Sequence, residues 1–274
     1  RRHSRPILAN RLLAVMVCAA AFIWIARHIR LRSPETERYF LAVDDNSGPM
    51  NLISEVADGG AIAMVARTKN TPLPVSLRGR YTRFMQGDGV LGFRDALPAI
   101  ALVVRDVRRI LRCNADLEPQ LFWRMAVLPF RRIVIRALLA RLRPTFYWGR
   151  DPYSPDHILR RQELHRIGAE SHSILHGFGA LADLYPMFRY ISFDRFYVFG
   201  RVIHRIYQDT WATDMKVVVG GSFSFTREEF AQLRNAPRHG RDIAVFTNVM
   251  SVANDAVFVD LDRKSTRLNS SHVS

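Results

Sequence analysis

Residues 144–177 read PTFYWGRDPYSPDHILRRQELHRIGAESHSILHG, and their periodicity decides the fold. Thr145 to Trp148 is a short apolar run of the buried-strand type. Asp156 to Ile167 has helical spacing, with Asp156 as the expected N-cap and Gly168 closing the helix, and Ser173 to Leu175 is a second strand run ending at His176-Gly177. The same rhythm continues with a strand over Phe193 to Phe199, a helix over Val202 to Trp211 and a strand over Lys216 to Val219 that ends at Gly220-Gly221. Strands and helices alternating on this scale predict an α/β fold, a parallel sheet flanked by helices.

Upstream, Tyr39 to Val43 reads as a strand that ends in the turn cluster Asp44-Asp45-Asn46-Ser47-Gly48. Asn51 to Ala57 fits a short helix and Ala61 to Ala66 a second strand. Residues 70–90 are rich in Pro and Gly and read as loop. Phe93 to Arg112 and Glu118 to Leu142 follow as two helices, apolar on one face and Arg-rich on the other. Such Arg stripes are solvated faces, or they hold an anionic lipid or a lipid-linked phosphate. Downstream, Ile243 to Thr247 is a further strand run after a polar, helix-compatible stretch.

Leu12 to Ala26 (LLAVMVCAAAFIWIA) contains no charge and is flanked by Arg11 and by Arg27, His28, Arg30 and Arg32. It is shorter than the roughly 20 residues of a spanning helix. Three readings stand: a basic, apolar anchor on the inner face of the cytoplasmic membrane, an uncleaved signal, or an ordinary buried helix.

With 48% hydrophobic and 24% charged residues, the composition is that of a globular chain and excludes disorder as the main state. The net charge of +15 would ordinarily point to nucleic acid or an anionic surface. Yet Lys69, Lys216 and Lys264 are the only lysines among 40 basic residues, a bias that suggests GC-rich coding DNA. No zinc-finger spacing or RNA-binding aromatic signature is present, so no nucleic-acid partner is expected. Cys18 and Cys113 lie far apart in apolar or helical surroundings, which predicts buried thiols in a reducing, cytoplasmic compartment without a disulfide framework or a cysteine zinc site.

In an open α/β sheet, ligands bind beyond the carboxyl ends of the strands. Three predicted strand ends carry suitable residues: Gly149 to Ser154, His176 to Gly179, and Gly220 to Ser222. An imidazole at a strand end before a glycine suits His176 to take a proton from an acceptor hydroxyl, and a loop histidine bonded to a carbonyl is the plainer reading. Asp151 and Tyr153, with Ser154 beside them, either bind a polar ligand or shape the turn. Gly220 and Gly221 either approach a phosphate or form a turn between domains. His157, His165 and His172 crowd the same stretch, but the eight-residue step from His157 to His165 does not match a helical metal pair. They are expected to be surface or core histidines, and no metal or cofactor site is expected.

The order of elements carries a resemblance. R-x-R-P (Arg141 to Pro144) precedes a strand, D-P-Y-S (Asp151 to Ser154), R-I-G-A-E-S-H (Arg166 to His172), strand-His-Gly (His176, Gly177), F-D-R-F-Y-V-F-G (Phe193 to Gly200) and K-V-V-V-G-G (Lys216 to Gly221). Residues 139–221 thus resemble the acceptor-side domain of GT-B glycosyltransferases of capsule and surface-polysaccharide biosynthesis, a group with a distant likeness to teichoic-acid glycerophosphotransferases. Leu175 stands where that group usually has Gln before His-Gly.

The resemblance implies two Rossmann-like domains across a cleft. Transfer would move a sugar or polyol phosphate from a nucleotide-activated donor, a substrate rather than a cofactor, to a glycan or lipid-linked acceptor. It implies His176 as acceptor-side base, with Asp151, Tyr153 and Gly177 lining the cleft. The implied organisation is a basic apolar helix over residues 1–33, an acceptor-side domain over 34–221 and the start of a donor domain over 222–261.

Asp262 to Ser274 back-translates to a common sequencing-adapter read-through and is expected to be an artefact, as the absence of an initial Met leads one to expect a start upstream of Arg1. The chain as it stands is therefore expected to be inactive alone. Two further function classes fit the same residues: a nucleotide-sugar epimerase of the same architecture, and a non-catalytic membrane-associated scaffold or export component of polysaccharide assembly.

Overall fold

The computed structural model describes residues 4–30, 38–44, 60–66, 81–149, 154–175, 190–208 and 214–221, with the isolated residues 231, 232 and 235. Contacts divide the chain into two compact units, Arg1–Thr226 and Arg227–Ser274, and every element described below lies in the first.

Seven strands form one parallel sheet. In chain order they are β2 (Leu41–Asp44), β3 (Ile62–Ala66), β4 (Tyr81–Met85), β6 (Phe146–Gly149), β7 (Glu170–Ile174), β8 (Arg195–Val198) and β9 (Lys216–Val219). Their spatial order is β4-β3-β2-β6-β7-β8-β9, and every neighbouring pair is parallel. A separate two-residue pair, β1 (Ile29–Arg30) with β5 (Leu91–Gly92), joins Ile29 to Leu91.

The helices are α1 (Ser4–His28), α2 (Phe93–Asn114), α3 (Pro119–Ala126), α4 (Leu128–Leu142), α5 (Asp156–Arg166) and α6 (Arg201–Gln208). α4 lies on one face of the sheet, where Leu138, Leu139 and Leu142 pack with Ala42, Ala63, Val65, Phe84 and Tyr147. α6 covers Phe196 and Val198 on the same face through Ile203 and Tyr207. α1 joins α2, α3 and α4 in a second core of Ala14, Val17, Ala21, Ile25, Ala96, Ala99, Val103, Val107, Phe122, Ala126 and Ile133.

The observed strands β2, β3, β6, β7, β8 and β9 and the helices α2, α5 and α6 fall where the periodicity puts them, to within a few residues. The left-handed Gly168 closes α5, with φ +75 and the Ala169 N–H donating to the Leu164 carbonyl at 3.0 Å.

Four details differ. Residues 70–90 are not all loop: Tyr81–Met85 is a strand in full register with β3. The expected single helix over Glu118 to Leu142 is two helices broken at Val127, because Pro129 lacks the N–H that would continue the ladder and restrains the residue before it. Asp156 is the first helical residue rather than the cap, and the Ser154 hydroxyl accepts from its N–H at 3.4 Å. Cys113 is exposed and Cys18 half-buried, both free, rather than two buried thiols.

α1 is also longer than its uncharged run, because Pro6 to Asn10 extend the helix past Arg11 to give an apolar stretch of 23 residues, Pro6–His28. The expected helix over Asn51 to Ala57 and the strand over Ile243 to Thr247 lie outside the described residues.

Candidate functional site

Strand order reverses between β2 and β6. From β2 the chain steps outward through β3 to β4, returns by way of α2, α3 and α4, and then steps the other way through β6 to β9. Loops leaving the two adjacent strands at such a reversal diverge to opposite faces, which leaves a crevice at their carboxyl ends.

Asp44, the last residue of β2, stands at that reversal and is only 2% exposed. An isolated buried carboxylate would be costly, and two donors offset the cost. The Tyr147 hydroxyl of β6 donates to Asp44 Oδ1 at 2.6 Å, and Arg160 Nη1 of α5 donates to Oδ2 at 3.1 Å. The Arg160 guanidinium also lies over the Tyr147 ring, 4.5 Å from its centroid. Burial alone would lower the Arg160 pKa, but the Asp44 carboxylate, with Asp156 nearby, outweighs it and holds the guanidinium above its usual range.

Gly149 ends β6 at the centre of this arrangement. A Cβ there would stand 3.3 Å from both Arg160 Nη1 and Phe193 Cε1, so the missing side chain leaves room for the guanidinium against Asp44.

A cavity of about 220 Å³ opens beside this triad, walled by Val134, Ile135, Leu138 and Leu139 of α4. Its polar rim is Gln86, Arg131, Asp156, Tyr147 and Arg160. Arg131 Nη1 meets Asp156 at 3.2 Å, and the remaining guanidinium N–H groups of Arg131 and Arg160 are the donors available to a ligand. An apolar wall beside two guanidinium groups suits a ligand with an anionic or hydroxyl-rich head.

Gln86 reaches this rim through the turn after β4. Gly89 lies so close to α4 that a Cβ would meet the Leu138 backbone nitrogen at 2.5 Å, and Met85 N–H donates to Asp88 Oδ2 at 2.7 Å.

Of the residues singled out from sequence, Ser154 opens α5 at the carboxyl end of β6. Its carbonyl accepts from the His157 ring and its hydroxyl from the Asp156 N–H. Asp151 and Tyr153, which fall between Gly149 and Ser154 in the chain, lie outside the described residues. So do His176 and Gly177, which follow Leu175 just after β7. Gly220 and Gly221 follow the edge strand β9, three strands from β6 or about 14 Å across the sheet, and do not line the cavity. Gly221 takes the left-handed conformation with φ +75 as the chain leaves the sheet.

The three neighbouring histidines are all engaged. His157 is buried and stacks on Phe193, and its Nε2 accepts from the Ser192 N–H at 3.1 Å. His165 Nε2 pairs with Asp194 at 2.6 Å. His172 packs edge-on against Phe146, and burial pushes its pKa down against the opposing pull of Glu170. Among the described residues no group of His, Cys, Asp or Glu is arranged to hold a metal ion.

Asp194, the acid of F-D-R-F, sits at the other end of the sheet. It accepts from the Ser171 N–H at 2.7 Å and from Arg161 at 3.1 Å, while Arg161 also holds Asp214 at 2.7 Å and Ser192 at 2.9 Å. This knot ties α5 to the amino ends of the strands and is structural.

Sequence reasoning missed Asp44, Tyr147, Arg160, Arg131 and Gln86. The available signal was an acid closing the apolar run Leu41-Ala42-Val43, masked by the polar cluster that follows it. Comparisons with known protein families, with curated proteins and with solved structures return no match to this chain.

Proposed function

We propose that this chain is the acceptor-side part of a glycosyltransferase-like protein of bacterial surface-polysaccharide biosynthesis. It would transfer a sugar or polyol phosphate from a nucleotide-activated donor to a glycan or lipid-linked acceptor. The observation that supports this reading is the cavity at the β2–β6 reversal, where the guanidinium groups of Arg131 and Arg160, the Asp156 carboxylate and the Gln86 amide converge at the carboxyl ends of parallel strands. Among the described residues, Ser154 lies beside that crevice, opening α5 at the carboxyl end of β6.

In this reading His176 takes the proton from the acceptor hydroxyl as the donor bond breaks, and the Arg131 and Arg160 donors orient the acceptor or its phosphate. The test is turnover of a panel of nucleotide sugars and nucleotide polyols by the full-length gene product, with His176→Ala and Arg131→Ala beside it. Loss of turnover in His176→Ala with unchanged thermal unfolding is expected. Retained turnover would remove His176 from the mechanism, and nucleotide-sugar interconversion without any acceptor would favour the epimerase reading.

A further inference from the structure

α1 is apolar on all sides, yet the fold covers only one stripe of it. Asn10, Ala14, Val17, Ala21 and Ile25 are buried, while Leu8, Leu12, Val15, Met16, Phe22 and Ile23 are each more than half exposed. A helix apolar all round belongs in a protein core or in lipid, and nothing among the described residues covers this second face.

α1 is nevertheless fastened to the fold. The Asn10 amide donates to the carbonyls of Ala115 and Leu117 at 3.0 and 2.8 Å, and β1 pairs with β5 at the far end. α2 therefore runs antiparallel beside α1, with Phe93 and Leu97 exposed near the Phe22 end and Arg108, Arg109 and Arg112 exposed near the Arg11 end. Arg108 is within electrostatic reach of Cys18 on the flank of α1. Arg105 is paired with Asp106 at 2.9 Å, whereas no ion pair holds Arg108, Arg109 or Arg112 among the described residues.

We infer that the outer face of α1, with the arginines of α2 beside it, is a docking surface for an anionic lipid bilayer, on which α1 lies in the plane of the interface. An apolar helix flanked by unpaired arginines matches acyl chains below and phosphate headgroups beside them. A second copy of the chain would bring these arginines against one another. Insertion of α1 across the bilayer, for which its apolar length would suffice, would strip the stripe Ala14 to Ile25 from Ala96, Ala99, Val103 and Val107 and break both Asn10 bonds.

The test is sedimentation of the full chain with vesicles of phosphatidylcholine alone or with one third phosphatidylglycerol, at low and high salt, without any nucleotide sugar, so that its outcome is independent of the transferase reading. At least tenfold tighter binding to the anionic vesicles is expected, weakening as salt rises. Leu12→Glu and the double variant Arg108→Glu with Arg112→Glu should each lose tenfold or more, the second pair being exposed and harmless to the fold. Equal binding to both vesicle types, or unchanged binding of the arginine variant, overturns the inference. So does a stable dimer in solution that Leu12→Glu dissociates, or resistance of α1 to alkaline extraction as a spanning segment.

Discussion

The Tyr147 hydroxyl donates to the Asp44 carboxylate at 2.6 Å across adjacent strands, at the point where the sheet reverses its order. Because Arg160 occupies the other carboxylate oxygen, a β2 residue, a β6 residue and an α5 residue are fixed to one another by two bonds. Tyr147→Phe removes one donor and leaves the ion pair, so a loss of about 1–3 kcal/mol is expected. Asp44→Ala leaves a buried guanidinium unpaired and should cost about 3–5 kcal/mol. Urea unfolding midpoints of the two variants, with unchanged slopes, check the order.

Gly149 gives a second prediction. Its Cβ in Gly149→Ala would stand 3.3 Å from the Arg160 guanidinium and from Phe193, which stacks on His157. Relief by Arg160, of a few tenths of an ångström, lengthens its 3.1 Å bond to Asp44. Overpacking of this kind costs about 1–3 kcal/mol. Thermal unfolding should report that loss, and the effect should largely vanish in an Arg160→Ala background, where the crowded group is gone.

Acid stability should turn on Glu163. This carboxylate of α5 is 1% exposed and is held by Arg132 at 2.7 Å, Arg136 at 2.8 Å and Arg166 at 3.0 Å. Burial alone would raise its pKa, but the hydrogen bonds from Arg136 and Arg132 outweigh it and bring it from the ordinary 4.5 down to about 2. A folded value below the unfolded one means stability that is present above about pH 4.5 and is lost as the pH falls towards 2. Asp194, lowered by its bonds from Ser171 and His165 against burial, acts in the same direction. Glu163→Gln should therefore cost about 3–5 kcal/mol at neutral pH and flatten the dependence between pH 4.5 and 2. Urea midpoints measured across that range check it, and an unchanged slope would show that the Glu163 cluster does not carry the acid dependence.

The half of the sheet from β6 to β9 was legible because its strands and helices keep clean periods and their ends are marked by Gly149, Gly168 and Gly220. β4 was hidden because Thr82 and Arg83 interrupt its apolar character in a stretch crowded with Pro and Gly. Only its full register with β3 identifies it. The pairing of β1 with β5 rests on two residues per strand, too few for any period to show. The acid of the candidate site escaped for a different reason. Asp44 looks like the first residue of a polar turn, and what makes it distinctive is contact with Tyr147 and Arg160, which lie 103 and 116 residues away. Local pattern carries strand ends well, but it cannot carry partners that only the parallel crossover brings together.

The Asn10 clamp also sets an order of events during synthesis. Its acceptors, Ala115 and Leu117, lie 105 and 107 residues downstream. At roughly 5–20 residues per second, α1 waits about 5–20 s after emerging from the ribosome before its partner helix exists. For that interval the whole circumference of an apolar 25-residue helix is bare, not only the face that stays uncovered in the finished fold. Nascent chains thus present this helix to chaperones or to a bilayer while β2, β3 and β4 are already made and the strands from β6 onward are not.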